Sequence, residues 1–547
     1  MNFIKKSFGL FVLLLCFGCE TTVKAPLTTT LPHLKKKGNT TQLIVEDAPF
    51  LILGGELGNS TFTSLEAMES VWPTLKKLHL NTLLVPVYWE LIEPVEGQFD
   101  FSLYKQLIAE AQKHELKLVL LWFGSWKNSM SSHAPAWVKK DQARFPRVKD
   151  EQGISQEILS PFSKNNLQAD LHAYEALMGF VRSVNEKQQS ILMVQTENEI
   201  GMLPSARDHH PLANAQFEAA VPQELISYLN VHKGKLVPEF EALWAAQGYK
   251  TAGNWEVVFG KGSATEELFM AWYFAKFTEA VIAAGKAVYP LPMFVNAALN
   301  APQKKPGEYP SAGPLPHLMD VWKAAGPSID FLSPDFYNPV FKHWCDLYVR
   351  QNNPLFVPEH RFDTTAAAKA IYTIGHYEGM GFSPFSIENP SEDHGEKLGK
   401  VYALLEQLTP TITQLHGAQK MDAVLLDNET TEVQLRFGNY EFTVKHSYTL
   451  PWEVKTDGEI WPPSAALILQ TDADTFFFAG TGIVITFKSL VDPSLRVGIL
   501  KNEEGSFENG KWVVHRHLNG DQTHQGRHVR LFQGDYAIQK LSLYTYE

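Results

Sequence analysis

Cysteine is scarce in this chain of 547 residues: there are three in all, two of them, Cys16 and Cys19, close to the start. With a leader removed only Cys19 and Cys345 remain, and a lipid-bearing Cys19 leaves no intrachain disulfide, so packing must supply the stability. Cys345, next to Trp344 in an apolar stretch, reads as a buried structural thiol. Long apolar runs are missing as well. The run Phe8 to Phe17 is too short to span a bilayer and, after Lys5 and Lys6, has the length of a signal-peptide core. Positive charge is in deficit: a net charge of −12 argues against a nucleic-acid partner, which selects a basic face. No convincing phosphate loop or dinucleotide fingerprint is present, so no cofactor is expected. Gly54-Gly55-Glu56-Leu57-Gly58 places an acid where a phosphate needs positive potential, and Gly480-Thr481-Gly482 is a turn with no helix after it. Asp208-His209-His210 lacks a third ligand at helical or loop spacing, so no metal is expected there and the three read as solvated loop residues.

What is present is the composition of a large globular protein, 44% hydrophobic and 12% aromatic, long enough for two domains and a leader. The segment 1–19 reads as a lipoprotein signal peptide, because Cys16-Phe17-Gly18-Cys19 resembles a bacterial lipobox with Cys19 as the lipidated residue. Residues 20–47, with Lys35-Lys36-Lys37, read as a flexible tether. The expectation is export and anchoring through the lipid alone, at the outer membrane or in the periplasm. Ordinary signal-peptide cleavage, leaving a released protein, is the alternative.

From 48 to 410, short apolar runs alternate with helical patterns. The runs are Phe50 to Gly54, Thr82 to Val87, Leu118 to Phe123, Ile191 to Gln195, Pro292 to Asn296, Asp330 to Pro334, Leu355 to Pro358 and Phe382 to Ile387. Eight βα units predict an α/β fold, a (β/α)8 TIM barrel. Strands buried on both faces are continuously apolar, as Leu118 to Phe123 is. Leu167, Leu171, Tyr174, Leu177, Met178 and Val181 form one helical stripe, and a second helix starts near Asp100 or Ser102 as N-cap. A long helical insertion, about 202–291, follows the fourth strand. Beyond 410 the period becomes two, as in Val433, Leu435 and Phe437, so 411–547 is expected to be a C-terminal all-β, sandwich-like domain.

Two glutamates stand where apolar runs stop: Glu199 in Gln195-Thr196-Glu197-Asn198-Glu199-Ile200-Gly201, and Glu359 in Val357-Pro358-Glu359-His360. A barrel presents its catalytic groups at the C-terminal ends of its strands, so these two acids, ends four and seven, are the candidates for paired carboxylate chemistry. Taken singly, each is one of 60 acidic residues and a solvated charge by default. The context carries the resemblance. Gln195 to Gly201 is similar to the Q-V-E-N-E-Y-G signature of family 35 β-galactosidases, and Ala134-Pro135-Ala136-Trp137-Val138 to their L-P-A-W-L. Pro86-Val87-Tyr88-Trp89-Glu90, with Glu93-Pro94 and Gly97 to Phe101, resembles a segment shared with family 42. Both belong to the clan of retaining (β/α)8-barrel glycoside hydrolases.

The resemblance implies Glu199 as acid/base, Glu359 as nucleophile and Asn198 as holder of the sugar 2-hydroxyl, with Glu199 kept protonated and Glu359 ionised. Tyr337 is a candidate donor to Glu359. The family's strand-three A-E-W is Gly124-Ser125-Trp126 here, so its sugar-binding glutamate is missing, and Glu56 is the candidate replacement acceptor. Trp126, Lys127, Asn128 and Asn296 are expected to shape the pocket. Trp89 is either a stacking face or a core residue. Glu197 is expected to face the barrel interior or a neighbour rather than the sugar. The implied activity is a retaining exo-glycosidase removing terminal β-D-galactose from oligosaccharide or polysaccharide substrates, hemicellulose side chains among them. The alternatives are an α-L-arabinopyranosidase or endo-β-glycanase of the same clan, or a non-catalytic surface glycan-binding lipoprotein. Oligomeric state is not readable.

Overall fold

Each of the eight apolar runs is a strand in the computed structural model, which describes residues 30–547 except 187, 302, 453–459 and 519. They are β1 (Ile52–Glu56), β2 (Thr82–Tyr88), β3 (Lys117–Lys127), β4 (Ile191–Asn198), β5 (Met293–Ala298), β6 (Phe331–Phe336), β7 (Val357–His360) and β8 (Gly381–Pro384). All pair in parallel with their sequence neighbours, and β8 returns to β1 to close the barrel. Burial on both faces explains the unbroken apolar sequence: β2 and β4 are buried at every position, β3 at all but its first. The signal peptide and Cys19 lie outside the described residues.

Helices α1 (Ser102–Lys113), α2 (Lys164–Asn185), α3 (Ser263–Val288), α4 (Ala366–His376) and α5 (Glu392–Leu415) lie against the strands. The predicted stripe on α2 is the buried one, with Tyr174, Leu177, Met178 and Val181 inside. The cap of α1 differs from expectation. Phe101 occupies the N-cap without a side-chain bond, while Asp100 Oδ1 accepts from the Ser102 amide at 2.8 Å. The insertion after β4 is shorter than 202–291: four short helices span Pro211 to Phe259, and α3 then packs along α2 as a regular barrel helix.

The tether expectation is corrected. His33–Lys37, Thr40–Val45 and Ala48–Phe50 form a three-stranded antiparallel sheet turning at Gly38, whose φ is +61°. Leu43 and Val45 enter the barrel core, and Lys37 Nζ and Gln42 Nε2 donate to the Thr413 carbonyl at 2.9 and 2.7 Å. The lysines that suggested solvation are the polar edge of a hairpin whose Gly-Asn turn is its sequence signal.

The C-terminal domain is a sandwich of a six-stranded and a four-stranded antiparallel sheet. The expected boundary at 410 falls inside α5, which continues to Leu415. The larger sheet is covered on both faces. Ile468, Phe476, Phe478 and Leu541 meet the smaller sheet, whereas Leu467, Leu469, Phe477 and Ala479 join the barrel core beneath α4 and α5. Close approach depends on Gly375 in α4, where a Cβ would stand 2.5 Å from Ala423 Cβ and 2.6 Å from Leu467 Cδ1. Among the described residues no helix is long and apolar enough to cross a membrane.

Candidate active site

The C-terminal ends of β1, β3, β4, β6 and β7 bring Glu56, Lys127, Glu199, Asp335 and Glu359 together, each at most 5% exposed. One carboxylate oxygen from each of Glu199, Asp335 and Glu359 lies within 4.8 Å of the other two. Glu199 and Glu359 are thus brought together from positions 160 apart in the sequence.

The turn out of β4 that aims Glu199 is unusual backbone. Glu197 and Glu199 both take left-handed φ, +62° and +45°, as does Asn128 opposite at +49°. For residues with a Cβ this conformation is uncommon and persists where neighbours over-determine it. Here Asn296 Oδ1 accepts from the Glu199 amide at 3.1 Å, Ser129 N donates to the Glu199 carbonyl at 3.0 Å, and Asn128 N donates to the Asn198 carbonyl at 3.2 Å. The Asn128 side-chain amide donates to Glu199 Oε2, and Lys127 Nζ donates to Asn128 Oδ1. Asn128 and Asn296 are therefore supports of Glu199. The side-chain amide of Asn198 is buried, and neither its nitrogen nor its oxygen has a hydrogen-bond partner among the described residues.

Glu359 accepts from the Tyr337 hydroxyl through Oε1, as the sequence suggested, and its Oε2 has no hydrogen-bond partner among the described residues. Burial pushes the Glu359 carboxyl up to about 7, the charge of Glu199 adding to the rise; Lys127 and the bonds from Tyr337 and Glu56 oppose it. Burial raises Glu199 too, against Lys127 and the bonds from Asp335 and Asn128. The expected division into one protonated and one ionised carboxyl is thus not a difference in direction; both are held above the ordinary range. The charge of Glu359 also adds to the rise of Glu56 and of Asp335, whose largest cause is burial.

Two expected pocket residues belong to the scaffold. Trp89 is fully buried against Trp122 and Trp137, and its indole donates to Glu93 Oε2 at 2.7 Å. Since Glu93 Oε1 also receives the Gly97 amide at 2.7 Å, the segment from Trp89 to Gly97 is a brace. Trp126 is clamped on Phe274 and Phe277 of α3, with its indole on the Leu159 carbonyl, so neither tryptophan has a face left for a sugar. The Trp126 amide instead donates to Glu197 Oε2 at 2.7 Å, fixing that acid inward as expected. Asp208 is not a solvated loop residue: it is fully buried and accepts from Lys149 N, His210 N and Ser160 Oγ. Sequence reasoning passed over Asp335, although it ends the sixth apolar run just as Glu199 and Glu359 end theirs. Asn296 Nδ2 donates to its Oδ2 at 2.6 Å, and its Oδ1 is buried without a partner.

Residues 63–254, which include Asn198 and Glu199, match the family described as "Beta-galactosidase", glycoside hydrolase family 42. Residues 398–530 match a domain of unknown function, DUF5597. No curated protein sequence matches the chain. Among solved structures, the β-galactosidase of Bacillus circulans sp. alkalophilus is similar over 66% of this chain and 57% of its own, at 14% identity and a TM-score of 0.46. That of Rahnella sp. R3 is similar over 66% and 56%, at 15% identity and 0.45. The catalytic domain of β-amylase from Paenibacillus polymyxa is similar over 64% of this chain and 97% of its own, at 16% identity and 0.43. The chain spans little more than half the length of the β-galactosidases it matches. The family match takes in β2, β3 and β4, and with them the turn that carries Asn198 and Glu199.

Proposed function

We propose that the chain is a retaining exo-glycosidase that releases terminal non-reducing β-D-galactose from oligosaccharides or hemicellulose side chains. The observation that carries this reading is the spacing of the pair, with oxygens of Glu199 and Glu359 within 4.8 Å. Retaining enzymes hold their carboxyls about 5–5.5 Å apart, whereas inverting enzymes leave about 6.5–9.5 Å for a water between them. In this mechanism Glu359 attacks the anomeric carbon through Oε2, the oxygen Tyr337 leaves free, while Glu199 gives its proton to the departing glycosidic oxygen. Glu199 then takes a proton from water as that water displaces Glu359 from the sugar. In this reading Asn198 meets the 2-hydroxyl and Glu56 accepts another galactose hydroxyl, supported by the buried, unbonded Asn198 amide and Glu56 Oε1. Lipidation at Cys19, and with it a site of action at the outer membrane or in the periplasm, belongs to the same proposal.

A panel of aryl glycosides tests it. β-D-galactoside is expected to turn over fastest, and Glu359→Gln to lower kcat by at least about 10³-fold while the fold is retained. Preference for an α-L-arabinopyranoside, or cleavage of internal bonds only, would replace the galactosidase reading. Binding with no turnover in either form of the protein would make it a glycan-binding protein. Loss of palmitate labelling in Cys19→Ser checks the anchor.

A further inference from the structure

Among the described residues, four carboxyl groups and one ammonium group, Lys127, share the buried floor of the site. Two of the four, Glu56 and Asp335, have no role in the two-carboxylate mechanism as such. Their contacts are specific. One oxygen of Asp335 lies within 4.8 Å of an oxygen of Glu199, and Asp335 Oδ1, Glu56 Oε1 and Glu359 Oε2 are all buried without a partner among the described residues. Buried carboxyl groups this close satisfy one another only through a hydrogen bond, which requires that one of them carry a proton. Asp335 Oδ2 already accepts from Asn296, so Oδ1, which no protein donor reaches, is the atom left to hold one.

We infer that Asp335 and Glu56 are positioning residues that stand protonated at neutral pH, Asp335 donating a hydrogen bond to Glu199 and Glu56 donating one to Glu359. The inference rests on the reading of Glu199 and Glu359 as the reacting pair. The charged and titratable groups facing Asp335 are Glu56, Lys127, Glu199 and Glu359, with the Tyr348 hydroxyl behind. One positive charge cannot compensate four negative ones in a site this dry, so protons must remain, and burial favours keeping them on the two acids that do not react. The consequence for the reaction is directional. The Asp335 bond is to a neutral acid before proton transfer and to a carboxylate after it, so it strengthens as the leaving group departs. The Glu56 bond does the converse, holding Glu359 ionised until it attacks.

Infrared spectroscopy of the whole protein tests this without substrate, and so separates failure of this inference from failure of the glycosidase reading. The C=O band of un-ionised carboxylic acids is expected to persist in the wild type at pH 7 and to lose intensity in both Asp335→Asn and Glu56→Gln. Glu199, protonated in the proposed mechanism, supplies a residual band in all of them, so the readout is the loss on each substitution. No such band in the wild type, or undiminished bands in folded variants, would overturn the inference. Asparagine keeps the Asn296 bond, so Asp335→Asn is expected to fold, and Glu56→Gln examines the second pair independently. The alkaline limb of kcat/KM is the second readout. Replacing a neutral acid by an amide leaves that limb in place. Removing an ionised Asp335 from beside Glu199 would instead lower it by about one pH unit or more, contradicting the inference. Rescue completes the test: Asp335→Ala is expected to lose at least about tenfold in kcat, most of it restored by Asn.

Discussion

Glu359 is the residue on which pH dependence turns. In the proposed mechanism it is the nucleophile and must be ionised, and burial raises this carboxyl to about 7. Activity is therefore expected to fall as pH drops through about 7, by roughly tenfold per unit below it. A kcat/KM profile with its acid limb near the ordinary carboxylate value would contradict this. Tyr337 works against the rise by donating to Oε1. Removing that hydroxyl in Tyr337→Phe is expected to move the acid limb upward and to cost about 10- to 100-fold in kcat/KM at neutral pH, the worth of a hydrogen bond to a charged group. Glu199, Glu359, Asn198 and Tyr337 were readable from sequence because each follows an apolar run or sits inside a signature. Trp89, left open between sugar and core, and Trp126, expected in the pocket, prove to be core residues for a physical reason. An aromatic beside an active-site segment has the same sequence whether its face meets a sugar or the core, and here both indoles are fully buried among other rings.

The secondary-structure elements position these groups by close approach more than by propensity. The left-handed turn at the end of β4 is fixed by β3 and β5, through Ser129 and Asn296, which no local sequence rule links to Glu199. The eight strands were legible because a parallel strand buried on both faces is an uninterrupted apolar word. The first sheet was not, since Lys35 to Lys37 on its solvent side resemble a linker, and the packing of Leu43 and Val45 is tertiary information. The seam between α4 and the C-terminal domain offers a direct test. Gly375→Leu forces a side chain into Ala423 and Leu467 and is expected to destabilise by about 1–3 kcal/mol, read as a lower Tm with kcat little changed. An unaltered Tm would show that the seam yields freely.

Taken together, barrel and sandwich share one continuous hydrophobic cluster running from Leu43 through the strands to Ile538. The boundary placed at 410 was drawn from the change of period, but α5 crosses it and the six-stranded sheet is barrel core on one side. A single cooperative thermal transition is therefore expected by calorimetry, and two separated transitions would contradict the shared core. The buried acids also set the pH dependence of that stability. Glu56, Asp335, Glu197 and Glu359 are raised above their ordinary values, so each binds its proton more tightly folded than unfolded. Their contribution is complete below the unfolded value and is lost as pH rises through the folded one, between 4.5 and about 7 for Glu359. Tm is expected to decline from pH 5 to pH 8, and less steeply in Glu359→Gln; an equal slope in the variant would remove Glu359 from the cause.

That these two glutamates act as a double-displacement pair is tested most directly by the stereochemistry of the first product. Proton NMR of an aryl β-D-galactoside during the first minutes of hydrolysis is expected to show β-galactose before mutarotation produces the α anomer. Initial release of the α anomer would contradict the account.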